Sequence, residues 1–186
     1  RPKGRNAFLA VGHIAVLAPK ASNLSSRQFM QADLVDMVER VLEETGVDSE
    51  YFELELTESM LMADAQQSID KLHGFRKLGL TLSIDDFGTG YSSLAYLKKF
   101  PIQTLKIDRS FIHDLGLDCD NDAIVKATIA MANSLNLKVI AEGVETRSQV
   151  DALNGYACEE VQGYLFSRPL CGDDFLSYVN GRSAIV

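Results

Sequence analysis

Carboxylates and amides recur where short apolar runs of this chain end. Glu55 lies near the end of Phe52-Glu53-Leu54-Glu55-Leu56-Thr57, and Asp85 and Asp86 follow Ile84. Lys106 and Asp108 flank Ile107, Glu142 follows Val139-Ile140-Ala141, and Gln162 stands in Val161-Gln162-Gly163-Tyr164. Carboxylates gathered on one rim repel one another unless a cation neutralises them. Hard divalent ions, Mg2+ or Mn2+, take oxygen ligands of this kind. The adjacent Asp85 and Asp86 suit a two-metal centre, one carboxylate bridging and the other closing the second ion. Two such ions about 3.5–4 Å apart clamp the attacking and leaving oxygens in phosphoester cleavage. Lys106 beside them would orient the attacking hydroxide. The plainer alternative is a set of unrelated surface acids, paired or solvated. Recurrence at one strand end after another favours a shared site. Gly88 and Gly90 after the paired acids allow a tight turn or a close backbone approach to a ligand.

Such residues meet only if the elements carrying them are parallel. Apolar runs at 8–17, 52–57, 80–84, 104–107, 137–141 and 160–166 read as strands. Between them, Leu34, Val38, Val41 and Leu42 recur at helical spacing, as do Ile69, Leu72, Phe75 and Leu78. Ile124, Ala127, Ile129, Met131 and Leu135 form a further stripe, and shorter helices are expected over 92–99, 146–153 and 173–179. Pro101 ends the first of these. Asp64 and either Asp120 or Asn121 are expected N-caps, and Gly46 and Gly79 stand where left-handed caps are wanted. Strand–helix alternation predicts a parallel α/β sheet with helices packed outside. Its strands, covered on both faces, should be near-continuous apolar runs. Six βα units fit this length, whereas a closed (β/α)8 barrel takes about 250 residues. The pattern alone leaves two architectures, an open doubly wound sheet and a barrel lacking its first part. In both, the carboxyl ends of the strands open on one rim.

The 186 residues carry 18 Lys and Arg against 26 Asp and Glu, a net charge of −8. That balance argues against duplex DNA or an anionic membrane as the main partner, and leaves a small anionic ligand open. Cys119, Cys158 and Cys171 form no CxxC pair and no disulfide framework, which fits a reducing, cytoplasmic setting. His13, His73 and His113 make no zinc pattern, so any metal would have oxygen ligands. Arg1, Lys3 and Arg5 precede an apolar run at 7–18, an outline shared with signal peptides. It is too short to span a bilayer and reads as a buried strand. With no initiator Met, the chain is expected to be part of a longer protein.

Five segments carry a specific resemblance. They are Glu55-Leu56-Thr57-Glu58-Ser59, Asp85-Asp86-Phe87-Gly88-Thr89-Gly90-Tyr91-Ser92-Ser93, Leu105-Lys106-Ile107-Asp108-Arg109-Ser110-Phe111, Ala141-Glu142-Gly143-Val144-Glu145 and Gln162-Gly163-Tyr164. Together they resemble the EAL-domain family, bacterial phosphodiesterases acting on the second messenger cyclic di-GMP, from about Asn23 to Leu170. The resemblance implies a modified TIM barrel, here N-terminally incomplete with about six βα units. It also implies two metals, Mg2+ or Mn2+, and hydrolysis of one phosphodiester to linear pGpG. Carried over, Asn23, Glu55 and Asp85 would ligate the first metal, and Asp85 would bridge to the second with Asp86 and Glu142. Lys106 and Gln162 would position the nucleophilic water alongside Glu142, with Asp108 close by and Glu145 near the substrate. Glu58 resembles the acid that anchors the loop after Asp85-Asp86. That loop commonly shapes a homodimer interface in the family, and a sensory or cyclase domain upstream is expected.

The chain departs from the family at its start. No Glu-Ala-Leu tripeptide, the source of one first-metal ligand, precedes Asn23. Phe8-Leu9-Ala10-Val11 looks like the strand that should run directly into Asn23, yet residues 12–22 intervene. Residues 1–22 are therefore expected to be an atypical strand and insertion, and 23–186 the phosphodiesterase domain. Two alternatives differ in kind from an active enzyme. One is a receptor that binds cyclic di-GMP or a partner without cutting. The other is an unclosed barrel that pairs or aggregates through its strand edges.

Overall fold

The computed structural model describes residues 20–90, 93–172, 174, 175 and 178. The strand expected at 8–17 lies outside them, as does most of the helix expected at 173–179. Six strands form one sheet: β1 (Lys20–Asn23), β2 (Phe52–Thr57), β3 (Thr81–Phe87), β4 (Thr104–Ile107), β5 (Lys138–Glu142) and β6 (Glu160–Gln162). Every neighbouring pair is parallel, and spatial order equals chain order. A doubly wound sheet reverses its strand order at a switch point. No reversal occurs here, and the sheet curls as a half-barrel of about six βα units.

The helices are α1 (Ser26–Phe29), α2 (Leu34–Thr45), α3 (Glu58–Ala63), α4 (Ala65–Lys77), α5 (Leu94–Leu97), α6 (Arg109–His113), α7 (Cys119–Ser134) and α8 (Arg147–Gly155). Residues 20–22, the end of the expected insertion, form β1 together with Asn23, and β1 pairs with β2. Gly46 and Gly79 adopt the expected left-handed backbone at φ 64° and 88°. Asp64 caps α4 by accepting from the Gln67 N–H at 3.0 Å. The cap of α7 is Asp118, not Asp120 or Asn121; its side chain accepts from the Asp120 N–H at 2.9 Å.

The strands are not apolar on both faces. Leu54, Leu56, Leu82, Ile84, Leu105, Ile107, Val139, Ala141 and Val161 point out beneath the helices and are buried there. They pack in one cluster with Leu61, Leu72 and Phe75 of α3 and α4, Ile112 of α6, Val125 and Ile129 of α7, and Val150 and Leu153 of α8. The alternate positions are largely polar: Glu53, Glu55, Ser83, Asp85, Thr104, Lys106, Glu142 and Gln162. Strand side chains alternate between faces, so the concave face is lined by polar groups. Only the convex face is a conventional core.

Candidate active site

Register brings the polar positions together. Asn23 on β1 lies opposite Glu55 on β2, Thr57 opposite Asp85 on β3, and Glu142 on β5 opposite Gln162 on β6. β3 departs from regular pairing between Ile84 and Phe87: Ile84 faces Leu105, but Phe87 faces Ile107. Three steps on β3 match two on β4, the signature of a bulge. Regular alternation would send Asp85 and Asp86 to opposite faces. The bulge, with Asp86 in left-handed backbone at φ 54°, returns Phe87 to the convex core and leaves both acids at the rim. Positive φ is uncommon outside glycine, although Asp tolerates it better than most residues.

Lys106 is the hub. Its Nζ lies 2.7 Å from Glu55 Oε1, 2.6 Å from Glu142 Oε1 and 3.4 Å from Asp85 Oδ1. The Asn23 amide donates to the other Glu55 oxygen at 2.8 Å. Asn23, Glu55, Asp85, Lys106 and Glu142 therefore form one connected cluster drawn from five strands. Burial alone would lower the Lys106 pKa, but Glu142, Asp85 and Glu55 outweigh it and raise it. The surrounding carboxylates thus favour the charged ammonium over the neutral amine. Burial pushes the Glu142 pKa up against the opposing pull of Lys106. Burial and the neighbouring Asp85 and Asp108 raise Asp86 as well. For Asp108, burial works upward but is outweighed, and the pKa is lowered, by hydrogen bonds from Ser110 and Arg109. Asp108 is also the N-cap of α6, accepting from the Ser110 N–H at 2.9 Å.

The remaining candidates sit around this hub. Gln162 Oε1 is buried and has no hydrogen-bond partner. An orphaned acceptor of this kind asks for a donor or a cation. Glu58 stands at the start of α3, and its carboxylate accepts from the Gly88 N–H at 3.0 Å. It thereby ties the loop after Asp85-Asp86 to β2. Glu145 is exposed, beyond β5. Among the described residues no three His, Cys, Asp or Glu side chains close into a metal cage; the carboxylates converge on the ammonium of Lys106 instead. The donors themselves, four carboxylates and the Asn23 and Gln162 amides, are all oxygen ligands of the kind hard divalent cations take.

Among the buried polar side chains with no counterpart in the residues expected from sequence, Lys71 and Gln149 tie separate segments together. Lys71 of α4 donates to the Phe29 carbonyl at 2.5 Å, with Nζ 5.2 Å from the Phe29 ring centroid, and so holds the segment after Asn23. Gln149 of α8 bridges the loop after β5 and the end of α6. The sequence signal for Gln149 is the spacing Thr146-Arg147-Ser148-Gln149, a capping box. A lysine on the buried stripe of an amphipathic helix marks Lys71.

The family profile of the EAL domain matches residues 9–169. The cyclic di-GMP phosphodiesterase NbdA of Pseudomonas aeruginosa is 52% identical over 150 residues, which is 81% of this chain and 19% of that protein. The solved structure of the PaMucR phosphodiesterase in complex with c-di-GMP superposes with a TM-score of 0.80 at 47% identity, covering 83% of this chain and 62% of that one. The Klebsiella pneumoniae BlrP1 complex with manganese and cyclic di-GMP gives 0.72 at 32% identity, over 80% of this chain and 38% of that one. The chain spans about a fifth of the length of the curated relatives it matches. No helix among the described residues is long and apolar enough to cross a membrane. By the match over residues 9–169 and by these identities, the chain belongs to the EAL-domain family, whose relatives include named cyclic di-GMP phosphodiesterases.

Proposed function

We propose that this domain hydrolyses cyclic di-GMP to linear pGpG with two divalent cations, Mg2+ or Mn2+. The observation that carries the reading is the cluster of Glu55, Asp85 and Glu142 around Lys106, at the carboxyl rim of an EAL-family sheet. Asn23, Glu55 and Asp85 would hold one cation, and Asp85, Asp86 and Glu142 the other. Bound there, the cations supply Lewis-acid polarisation of the phosphate and a lowered pKa for water. Water adds to phosphorus, the bond from phosphorus to one ribose O3′ breaks, and that oxygen leaves with a proton. Lys106 keeps its proton on Nζ and donates to the anionic oxygens that approach it. Gln162 Oε1, the buried acceptor, takes a hydrogen bond from the water and fixes its direction. Glu142 shares Lys106 and completes the positioning. Asp108 and Glu145 lie towards the substrate, and Glu58 holds the Gly88 loop in place over the acids.

Within a longer protein the domain would form residues 23–186 and follow a sensory or cyclase domain. It would act in the cytoplasm as a homodimer. One relative is a bifunctional diguanylate cyclase and cyclic di-GMP phosphodiesterase, which fits that arrangement. The test is incubation with cyclic di-GMP and MnCl2 or MgCl2, with pGpG read by chromatography. Production that stops with EDTA is expected, and Asp86→Asn should abolish it at saturating metal. Tight binding without product, by folded protein, would make the domain a receptor instead.

A further inference from the structure

We propose that Gln149 is a positioning residue for the reaction above, a clamp that sets the separation of Lys106 and Glu142; the proposal rests on that functional reading. Gln149 is only 5% exposed. Its Oε1 accepts from the Glu145 N–H at 2.8 Å and the Thr146 N–H at 2.9 Å. Its Nε2 donates to the Ile112 carbonyl at 2.8 Å and the His113 carbonyl at 3.3 Å. An amide has two acceptor lone pairs and two donor hydrogens, and all four are used. The alternative amide orientation would set donors against donors and acceptors against acceptors, so the partners define it.

Capping α8 needs only the oxygen half of this side chain. The nitrogen half reaches across to the last carbonyls of α6. That helix begins three residues after Lys106, which β4 places, with Asp108 as its cap. The other partner, the loop of Glu145 and Thr146, follows directly from Glu142 at the end of β5. The two segments also touch at their near ends: Gly143, at φ +75°, would bring an added Cβ to 2.4 Å from Arg109 Cβ. β4 and β5 pair in register from Thr104 opposite Lys138 to Ile107 opposite Ala141, and this ladder sets the strands that carry Lys106 and Glu142. Gln149 adds a tie between the segments that follow the ladder, so the 2.6 Å spacing of Lys106 and Glu142 is also held from behind.

Two variants separate the halves of the amide. Gln149→Met fills the same volume without hydrogen bonds, while Gln149→Glu keeps acceptors for the Glu145 and Thr146 N–H groups and loses the donors to α6. Amide hydrogen exchange should quicken at both 108–113 and 142–147 in Gln149→Met. In Gln149→Glu it should quicken at 108–113 only. Both variants should lower kcat about tenfold, with KM for cyclic di-GMP within about threefold, as loss of a group supporting the reacting ones does. Faster exchange confined to 145–149, or an unchanged kcat in both folded variants, would overturn the clamp. If the unsubstituted protein makes no pGpG, the functional reading fails, and the exchange pattern still decides whether Gln149 joins the two segments.

Discussion

Lys106 is a buried cation whose removal leaves Glu55, Asp85 and Glu142 facing one another. Breaking a buried ion pair from one side costs about 3–5 kcal/mol, because the partner charge stays buried and uncompensated. Lys106→Ala should therefore lower the melting temperature of metal-free protein, and Mn2+ should return part of the loss by neutralising the same carboxylates. If Lys106 positions the attacking water as proposed, turnover should fall more than substrate affinity. A pure loss of affinity would make it a ground-state phosphate contact. Glu53 poses the opposite case. It lies deeper on the concave face, and burial raises its pKa from the ordinary 4.5, helped by Glu55 and opposed by Ser83 and Lys106. A carboxyl with a raised folded pKa costs stability as pH rises from the unfolded value through the folded one. Glu53→Gln should raise the melting temperature by a few degrees at pH 8. The gain should vanish below pH 4.5, where both states are protonated. A gain that persists at pH 4 would show that the charge is not its source.

The rim acids could be found from sequence because strand ends are a position that chain order alone defines. β2 and β4 fall on the expected residues, 52–57 and 104–107, since alternation of apolar and polar residues places them. β3 runs on to Phe87 because the bulge absorbs the two acids, and nothing in a two-residue period announces a bulge. Helices α1, α3 and α6, of four to six residues, are too short to show a 3.6-residue stripe. The polar lining of the concave face was written in Phe52-Glu53-Leu54-Glu55-Leu56-Thr57, whose strict alternation belongs to a strand with one apolar face. Glycine contacts set the tolerance of these elements to change. An added Cβ at Gly163 would lie 2.0 Å from the Val144 carbonyl oxygen and 2.3 Å from its nitrogen. Those backbone atoms join β6 to the β5 loop through the bonds Val144 N–H to Gln162 O and Leu165 N–H to Val144 O, each 3.0 Å. Gly163→Ala should cost about 3 kcal/mol, the range of overpacking with backbone shift. Gly155→Ala, with nothing within 4 Å of the added Cβ, should cost nothing or stabilise slightly. Paired thermal melts of the two variants check the contrast.

At the scale of the molecule, a chain of charge −8 gathers three acids linked to one lysine, with Asp86 beside them, at the mouth of its sheet. Ligands that bind only the folded state raise its stability by mass action. Saturating Mn2+ should raise the melting temperature and EDTA should reverse it. Asp86→Asn should shrink the response, and an identical shift in that variant would remove Asp86 from the cation site. Lys106 has a consequence for the sequence of events. Glu55, Asp85, Asp86 and Glu142 against one ammonium leave the unloaded rim at about three negative charges when all are ionised. Like charges brought together at short range in a low-dielectric cleft repel strongly. Under the proposed function, a dianionic dinucleotide would meet a closed electrostatic door at that rim before cation loading and an open one after it. Association should then be ordered, cation before nucleotide, and nucleotide binding as tight in EDTA as in Mn2+ would overturn that order.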